Sequence, residues 1–273
     1  MKTNGLRVSI VGYGNVAYRL SLALKAVGIE LSYIIGRNES EAAKLAYLLN
    51  KPENNPVSTA KQTLSSNNYQ DALESDIIIL AVSDRAIEPV SNDLYQYIHE
   101  KSSGITVLHC SGASHISLLD KFDNHGVLYP LMTLSKTKPV DFGLIPFFLE
   151  YSNETVKNKL VNICVALRSE YRFTDSAERM KIHVAAVFVS NFINYLTGLA
   201  FDISKPNQMF LMPLAIETIR KAFLYEHPSL VQTGPAIRGD YKTIEEHLKI
   251  LEKMPRHKDM YQFISSYILP KNK

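Results

Sequence analysis

The sequence predicts an α/β fold, a doubly wound and mostly parallel sheet, followed by an all-α C-terminal domain. Short apolar runs rich in β-branched residues recur through the first half of the chain, and segments with apolar residues at helical spacing lie between them. Strands that alternate with helices imply right-handed βαβ units. After residue 152 strand patterns become rare and helical spacing dominates. We therefore predict two domains, residues 1–152 and residues 153–273.

The predicted strands and helices follow one another in order through the first domain. A strand over residues 6–11 leads into a helix over residues 17–27, and the same pair repeats over residues 31–35 and 40–49. The run 77–82 is almost wholly apolar, as strands buried on both faces of a parallel sheet are. Further strands are predicted over residues 105–108, 126–129 and Phe147–Tyr151, with helical segments between the earlier ones.

The second domain is predicted to consist of helices. Asp175 with Glu178 three residues later forms a capping-box pattern, and Pro206 suits a first helical turn. Pro213 falls inside a predicted helix, where a kink or a break is expected. The helices are predicted over residues 153–167, 175–201, 206–225, 241–253 and 257–269.

Composition and charge argue against several classes of protein. The formal net charge is +3 and no dense Lys/Arg block is present, which argues against a nucleic-acid partner. Cys110 and Cys164 lie far apart, and the eight histidines show no ligand-like spacing, so neither a disulfide framework nor a metal site is expected. The first strand pattern begins too early for a signal peptide, which favours a cytoplasmic protein.

The predicted helix over residues 175–201 is unusually apolar. Lys181, His183, Asn191 and Asn194 interrupt it, and these side chains are expensive in lipid, so no membrane partner is expected. We expect a buried helix of a soluble protein. Because a small helical domain hides such a helix best against a second copy, the sequence also predicts a homodimer.

The most specific motif lies between the first strand and the first helix. It matches the G-x-G-x-x-G/A pattern of dinucleotide-binding Rossmann folds in the required context, and it reads Gly12-Tyr13-Gly14-Asn15-Val16-Ala17. Gly12 permits the tight turn, Gly14 lets the backbone approach the pyrophosphate, and Ala17 keeps the helix close to the strand. The amides and dipole at the helix start would hold the phosphates. The alternative is a glycine-rich turn without a ligand.

The end of the second strand predicts NADP rather than NAD as the cofactor. An NAD site has a carboxylate roughly 20 residues beyond the glycines, where it binds both ribose hydroxyls. Here Arg37 takes that place, with Asn38 and Ser40 nearby. A guanidinium beside a hydroxyl suits a 2′-phosphate. The alternative is that Arg37 is a solvated loop residue.

Small residues stand at the carboxyl ends of two further strands, where ligands bind on open α/β sheets. Ala81, Val82 and Ser83 stand at the first of these ends, and Ser111 and Gly112 stand at the second. We expect them to flank the nicotinamide half of the cofactor. The alternative is that Ser83 and Asp84 cap the helix that follows.

The chain resembles NADP-dependent oxidoreductases that join a Rossmann-like domain to a helical domain of unknown function (number 2520), within the superfamily of 6-phosphogluconate dehydrogenase and pyrroline-5-carboxylate reductase. The resembling stretches are residues 12–17, 109–113, 129–133, 183–186, 190–192 and 232–240. The resemblance implies an NADP-binding domain, a helical domain that helps to form a dimer, and an active cleft between the two domains. It supplies no substrate.

One stripe of the long helix carries the candidate catalytic groups. At about 100° per residue, His183, Ser190 and Asn194 lie within about 40° of one another, with Asn191 at the margin. His183 would donate a proton to the reduced carbonyl or imine, and Ser190, Asn191 or Asn194 would orient the substrate. The alternative is that these groups make structural hydrogen bonds. Many β-hydroxyacid dehydrogenases of the superfamily have a Lys four residues before an Asn, and here Val187 precedes Asn191 by four.

Four other residues leave alternatives open. Asp240 is expected to cap the helix after it, and Arg238 would pair with a substrate anion or form a salt bridge to another domain or subunit. His109 and Tyr129 end or follow strands, which is consistent with cleft residues or with buried structural ones.

These patterns together predict an NADPH-dependent reductase or dehydrogenase that acts on a small carbonyl, imine or hydroxyacid. Two alternatives remain at this stage. One is a non-catalytic NADP(H)-binding module that senses redox state. The other is an oxidoreductase between a deazaflavin or flavin and NADP.

Overall fold

The computed structural model describes residues 5–54, 61–98 and 104–270, and the chain forms two compact units. The first unit is Met1–Ser190 and the second is Asn191–Lys273. The first unit extends beyond the predicted boundary at residue 152, because the next helix packs against the sheet and a further strand extends it.

The first unit is built on a sheet that has eight strands within the described residues. Strands β1 to β6 run parallel in the order β3-β2-β1-β4-β5-β6, β7 is antiparallel to β6, and β8 is parallel to β7. The predicted doubly wound, mostly parallel sheet is therefore confirmed. The strands are β1 (Arg7–Val11), β2 (Glu30–Ile35), β3 (Leu64–Ser66), β4 (Ile77–Leu80), β5 (Thr106–His109), β6 (His125–Pro130), β7 (Phe147–Tyr151) and β8 (Tyr171–Phe173).

Two of these strands, β3 and β8, were not predicted. Each has three residues and lies at an edge of the sheet. Three residues are too few to show a period of two, so no pattern in the sequence identifies them.

Five helices of the first unit are α1 (Asn15–Ala26), α2 (Glu39–Leu49), α3 (Asp84–Ile98), α4 (Glu154–Leu167) and α5 (Ser176–Val187). Alternate residues of one strand belong to opposite cores, because successive side chains of a strand point to opposite faces. In β4, Ile77 and Ile79 belong to the core that includes residues of α1 and α4, whereas Ile78 and Leu80 belong to the core that includes residues of α3. The sheet is thus covered on both faces, as the apolar run 77–82 predicts.

The second unit is helical, as predicted. Its helices are α6 (Ile193–Ser204), α7 (Met212–Leu224), α8 (Pro235–Arg238), α9 (Tyr241–Ile250) and α10 (Pro255–Ile268). Pro213 lies in the first turn of α7, and the turn before it is a separate 3-10 segment, Gln208–Leu211. The break expected in the helix 206–225 is therefore confirmed, because the first turn of a helix accommodates proline without the loss of a backbone hydrogen bond.

The predicted helix 175–201 is not one regular α-helix. A π-helical turn, Phe188–Phe192, separates α5 from α6. Asp175 caps α5 and its carboxylate accepts the backbone N–H of Glu178 at 2.7 Å, which confirms the predicted cap. The π-turn interrupts the 100° repeat on which the predicted catalytic stripe depends.

The stretch Ser176–Ser204 is long and apolar enough to cross a membrane by length and composition alone, with a mean hydropathy of 1.6. A soluble core helix passes the same test. Here the expectation of a buried helix is wrong for the single chain, because none of its most apolar 18 residues is buried. Periodicity and composition predict an apolar helix but not the surface that covers it.

Candidate functional site

The turn after β1 is tightly confined by its neighbours. Gly12 has φ +124°, a conformation that side-chain-bearing residues rarely adopt, and its N–H donates to the carbonyl of Ile35 at 2.8 Å. A Cβ at this position would collide with the carbonyl group of Ala81. The turn therefore fits between the ends of β2 and β4 only with glycine at position 12.

At Gly14, by contrast, no protein atom would restrict a side chain. It is the N-cap of α1, with extended backbone, and a Cβ there would meet no atom within 4 Å. No side chain caps α1, and its first turn holds no acidic residue. The first amides of α1 thus face open space, which is the arrangement that binds a phosphate at a helix start.

A cavity of about 380 Å³ lies in front of this turn. Nine of the predicted cofactor-binding residues line it, and they are Gly12, Tyr13, Gly14, Asn15, Val16, Arg37, Ala81, Val82 and Ser83. Ala17 does not line it, because its side chain is fully buried in the core, as a residue that holds α1 close to β1 must be. The motif and the strand ends therefore come together around one cavity.

Arg37 and Tyr69 lie at the same cavity. Burial raises the pKa of Tyr69, as does the charge of Asp93, whereas the charge of Arg37 acts to lower it. The guanidinium and the phenol are therefore within electrostatic range of one another. Tyr69 follows the short strand β3, and because that strand has no pattern in the sequence, Tyr69 was not predicted as a site residue.

Asn38 and Ser40 do not line the cavity. The side chain of Asn38 caps α2 by accepting the N–H of Glu41 at 3.3 Å, and Ser40 is exposed in the first turn of that helix. Their proposed contact with the cofactor stays a prediction. Ser83 immediately precedes α3, and its carbonyl accepts the N–H of Ala86 at 2.7 Å.

A second cluster lies where β5 and β6 end. The hydroxyl of Tyr129 is 3.0 Å from Nδ1 of His183, and the two rings meet edge to face. A Cβ at Gly112 would lie 2.5 Å from Tyr129 Cζ and 2.6 Å from His183 Nδ1. Both rings therefore press on Gly112, so the position requires glycine. The predicted residues Gly112 and His183 are thus in contact, and Tyr129 joins them.

Burial raises the pKa of Tyr129, and the negative charge of Asp84 raises it further. The phenol is therefore neutral near pH 7. Asp84, at the start of α3, lies within electrostatic range of this phenol.

Among the other predicted residues, Ser111 and Ser190 have identifiable hydrogen-bond partners. The buried hydroxyl of Ser111 accepts the backbone N–H groups of Ala113 and Ser114 at 3.1 and 2.9 Å, which stabilises the turn after β5. The hydroxyl of Ser190 lies 2.8 Å from that of Thr133. Asn191 and Asn194 belong to the second unit and are exposed. Their roles with substrate, like those of Ser111 and Ser190, stay predictions.

A buried arginine lies one helical turn before His183. The side chain of Arg179 is 1% exposed and donates to the carboxylate of Glu150 and to the carbonyl of Ser114. The hydroxyl of Ser176 donates to Glu150 at 2.9 Å. This network joins α5 to β7 and to the loop after β5. Nothing in the sequence pairs residues 150 and 179, so it was not predicted.

His109 and the two cysteines are buried, and their pKa values keep all three uncharged near pH 7. Burial, aided by the charge of Arg179, lowers the pKa of His109 to about 3, and its Nδ1 accepts the N–H of Ser111 at 3.1 Å. Burial raises the pKa of Cys110 and of Cys164 to about 12, so neither is a thiolate near pH 7. In the part of the chain that the structure describes, no group of three or more His, Cys, Asp and Glu side chains is placed to hold a metal.

In the second unit, Asp240 caps α9 as predicted, since its carboxylate accepts the N–H of Thr243 at 3.1 Å. The same carboxylate accepts the Thr243 hydroxyl at 2.8 Å. Arg238 ends the short helix α8.

Two family models match the chain. Residues 7–109 match NADP oxidoreductase, coenzyme F420-dependent, and residues 145–268 match the domain of unknown function DUF2520. No curated protein matches the chain at a significant level.

Solved structures resemble the chain along nearly its whole length. A Bacteroides fragilis protein provisionally assigned as an NADP oxidoreductase is 28% identical with a TM-score of 0.84, covering 98% of this chain and 99% of that one. A pyrroline-5-carboxylate reductase from Coxiella burnetii is 15% identical with a TM-score of 0.56, covering 98% and 100%. The Plasmodium falciparum pyrroline carboxylate reductase, solved with NADP bound, is 13% identical with a TM-score of 0.56, covering 97% and 98%. The last two share the fold.

Proposed function

We propose that this chain, an oxidoreductase that joins an NADP oxidoreductase domain to a DUF2520 domain, transfers hydride between NADP(H) and a small carbonyl, imine or hydroxyacid. The observation that carries the proposal is the cavity at the turn between β1 and α1, which Gly12, Gly14 and Arg37 all line. A second cluster, Tyr129 with His183, supplies a group that can exchange a proton at the ends of β5 and β6.

The residues at the cavity fit a dinucleotide. The uncapped start of α1 would hold the pyrophosphate, and the open space at Gly14 would let the phosphates approach the backbone. Arg37 would bind the 2′-phosphate that distinguishes NADP from NAD, because a guanidinium forms charge-assisted bonds to phosphate. Tyr69, beside Arg37, would form a further wall of this end of the site.

When bound, the nicotinamide ring supplies or accepts the hydride. His183 would hold the proton that joins the substrate oxygen or nitrogen as a C=O or C=N bond is reduced. Gly112 supports this role because it allows the imidazole to lie directly against the loop that ends β5. Ser190, Asn191 and Asn194 are proposed to orient the substrate, and Ser111 to lie beside the nicotinamide.

The direct test is NADPH oxidation across a panel of ketoacids and cyclic imines, with NADH in parallel. Turnover with NADPH supports the proposal. Tight NADPH binding without turnover on the panel would favour the redox-sensing module instead. Because the first family model is described as coenzyme F420-dependent, the panel includes an oxidised deazaflavin. Reduction of the deazaflavin alone would favour an oxidoreductase that transfers hydride between NADP(H) and a deazaflavin.

We propose in addition that the protein is a soluble, cytoplasmic homodimer. No residue of α6 or of α7 is buried in the single chain, although both helices are rich in large apolar side chains. An exposed apolar surface of this kind marks an interface, and a second copy of the same surface is self-complementary in apolar character. Light scattering in detergent-free buffer should give twice the chain mass of 30.8 kDa. A monomer, or a protein that requires detergent, would contradict this proposal.

A further inference from the structure

We infer that Tyr129 is a positioning residue that fixes the tautomer of His183, so that Nε2 is the nitrogen that meets the substrate. The inference rests on the proposed function, because it specifies how the proton moves in the same reaction.

The geometry of the pair allows one of the imidazole nitrogens to react. Tyr129 Oη lies 3.0 Å from Nδ1, so this nitrogen is engaged inside the protein. Gly112 lies against the same side of the imidazole, with Nδ1 near the position that a Cβ would take. His183 itself is half-buried, whereas Tyr129 is only 9% exposed. Nε2 is therefore the ring nitrogen left without a hydrogen bond to a described residue.

The direction of the hydrogen bond follows from burial. A buried hydroxyl needs an acceptor for its proton, and among the described residues the hydrogen bond of Tyr129 Oη is the one to Nδ1 of His183. The phenol keeps its proton, because burial and the charge of Asp84 raise its pKa. If the phenol donates, Nδ1 of the neutral imidazole must be the unprotonated nitrogen. The imidazole proton then sits on Nε2.

Both partners stand on rigid elements. Tyr129 lies in β6, between β5 and β7, and is paired with Phe148 of β7. His183 lies on α5, which Arg179 fastens to Glu150 one turn earlier. Rigid supports hold a donor in its productive orientation better than loops do.

The proton movement balances in the direction of reduction. As the hydride adds to the substrate carbon, the electron pair of the C=O or C=N bond goes to oxygen or nitrogen, which takes the proton from Nε2. The phenolic proton of Tyr129 moves onto Nδ1, so the imidazole remains neutral. After the product leaves, water protonates Nε2 and the proton on Nδ1 returns to the phenolate, which restores the starting tautomer. The net uptake is one hydride from NADPH and one proton from solvent.

The test is ¹⁵N NMR of the full chain, labelled on its histidines, at a pH at which His183 is neutral. The His183 signals are assigned as those missing from His183→Gln. In the wild type we expect a protonated Nε2 and an unprotonated Nδ1. In Tyr129→Phe the donor to Nδ1 is lost, and a mixture of the two tautomers is expected. Tyr151→Phe, on the neighbouring strand β7, removes a phenol elsewhere and should leave the wild-type spectrum.

This measurement needs no substrate, so it remains decisive if the proposed hydride transfer fails. A wild-type spectrum with the proton on Nδ1 would overturn the inference, as would an unchanged tautomer in Tyr129→Phe. If His183 is not ordered in Tyr129→Phe, His183→Gln provides the second measurement. There the Gln amide offers an acceptor to the phenol, and the Tyr129 hydroxyl proton should remain protected from solvent exchange. Rapid exchange would contradict a donated hydrogen bond.

Where a substrate is known, kcat of Tyr129→Phe should fall by about tenfold or more, as loss of a proton-transfer partner does. The Kd for NADPH should stay unchanged, because Tyr129 lies outside the set that lines the cofactor cavity. An unchanged kcat would contradict the role in catalysis, and equal losses in kcat and in NADPH affinity would indicate a merely structural defect.

Discussion

Arg179 of α5 and Glu150 of β7 form an ion pair that is almost wholly buried in the first unit. Their side chains are 1% and 12% exposed, and Ser176 donates a further hydrogen bond to the carboxylate. The pair joins the helix that carries His183 to the sheet. Removing one partner of a buried pair leaves an uncompensated charge in the protein interior.

Glu150→Gln should therefore lower the free energy of unfolding by about 3–5 kcal/mol, measured by urea denaturation. Glu150→Gln with Arg179→Met, which removes both charges, should recover part of this loss. Glu154→Gln is the matched control, since Glu154 pairs with Lys157 at the surface and its loss should cost about 0.5 kcal/mol or less. A similar small loss at Glu150 would show that the buried pair contributes little.

His109 should make the protein less stable in acid. Its pKa is about 3 in the folded protein, against 6.5 in a solvated histidine. Between these two values the unfolded chain binds a proton that the folded chain does not, so stability is full above pH 6.5 and falls as the pH is lowered towards 3. From pH 7 to pH 5 the loss should be about 2 kcal/mol.

In His109→Gln this part of the pH dependence should vanish, whatever the variant's stability at pH 7. Denaturation at several pH values measures the difference in slope. Parallel curves for the two proteins would show that His109 does not carry the effect.

Gly14→Ala should separate cofactor binding from folding. The added methyl meets no protein atom, so the free energy of unfolding should fall by about 1 kcal/mol or less. The methyl occupies the space through which the pyrophosphate approaches, so the Kd for NADPH should rise at least tenfold, about 1.4 kcal/mol. Gly12→Ala is the contrast, since its methyl collides with Ala81 and the fold itself should lose stability. Unchanged NADPH affinity in a well-folded Gly14→Ala variant would show that the phosphates do not bind at this turn.

Arg37 should set the preference for NADPH. NADPH is expected to bind at least tenfold more tightly than NADH, a difference of about 1.4 kcal/mol. Arg37→Ala should abolish most of that ratio, whereas Arg172→Ala, at the exposed strand β8, should leave it unchanged. Fluorescence titration with NADPH and with NADH measures the ratio of the two Kd values. Equal affinities in the wild type would refute the assignment.

His183→Ala should lower turnover by about 100-fold or more with little change in NADPH affinity, as loss of a general acid does. Lys181→Ala is the control on the same helix, since Lys181 is exposed and about 160° from His183. If His183 is instead structural, the variant should lose about 1–3 kcal/mol of stability through the unsatisfied Tyr129 hydroxyl. Full turnover by His183→Ala would show that His183 is not the general acid.

Features that depend only on neighbouring residues could be predicted from the amino-acid sequence. The glycine turn lies between β1 and α1, Asp175 and Asp240 cap their helices, and Pro213 breaks its helix. Each of these depends on one backbone angle or on a bond across three residues, so a local pattern is sufficient to predict it.

Contacts between side chains that are distant in sequence could be identified only from the three-dimensional fold. Tyr129 and His183 are separated by 54 positions, and their contact depends on where β6 lies in the sheet and on where α5 packs. Gly112 shows the same dependence, because its need for glycine comes from two rings that approach it and not from its own backbone. The exposure of the stretch Ser176–Ser204 could likewise not be predicted from its periodicity. Apolar spacing indicates that a helix packs against another surface but does not identify that surface.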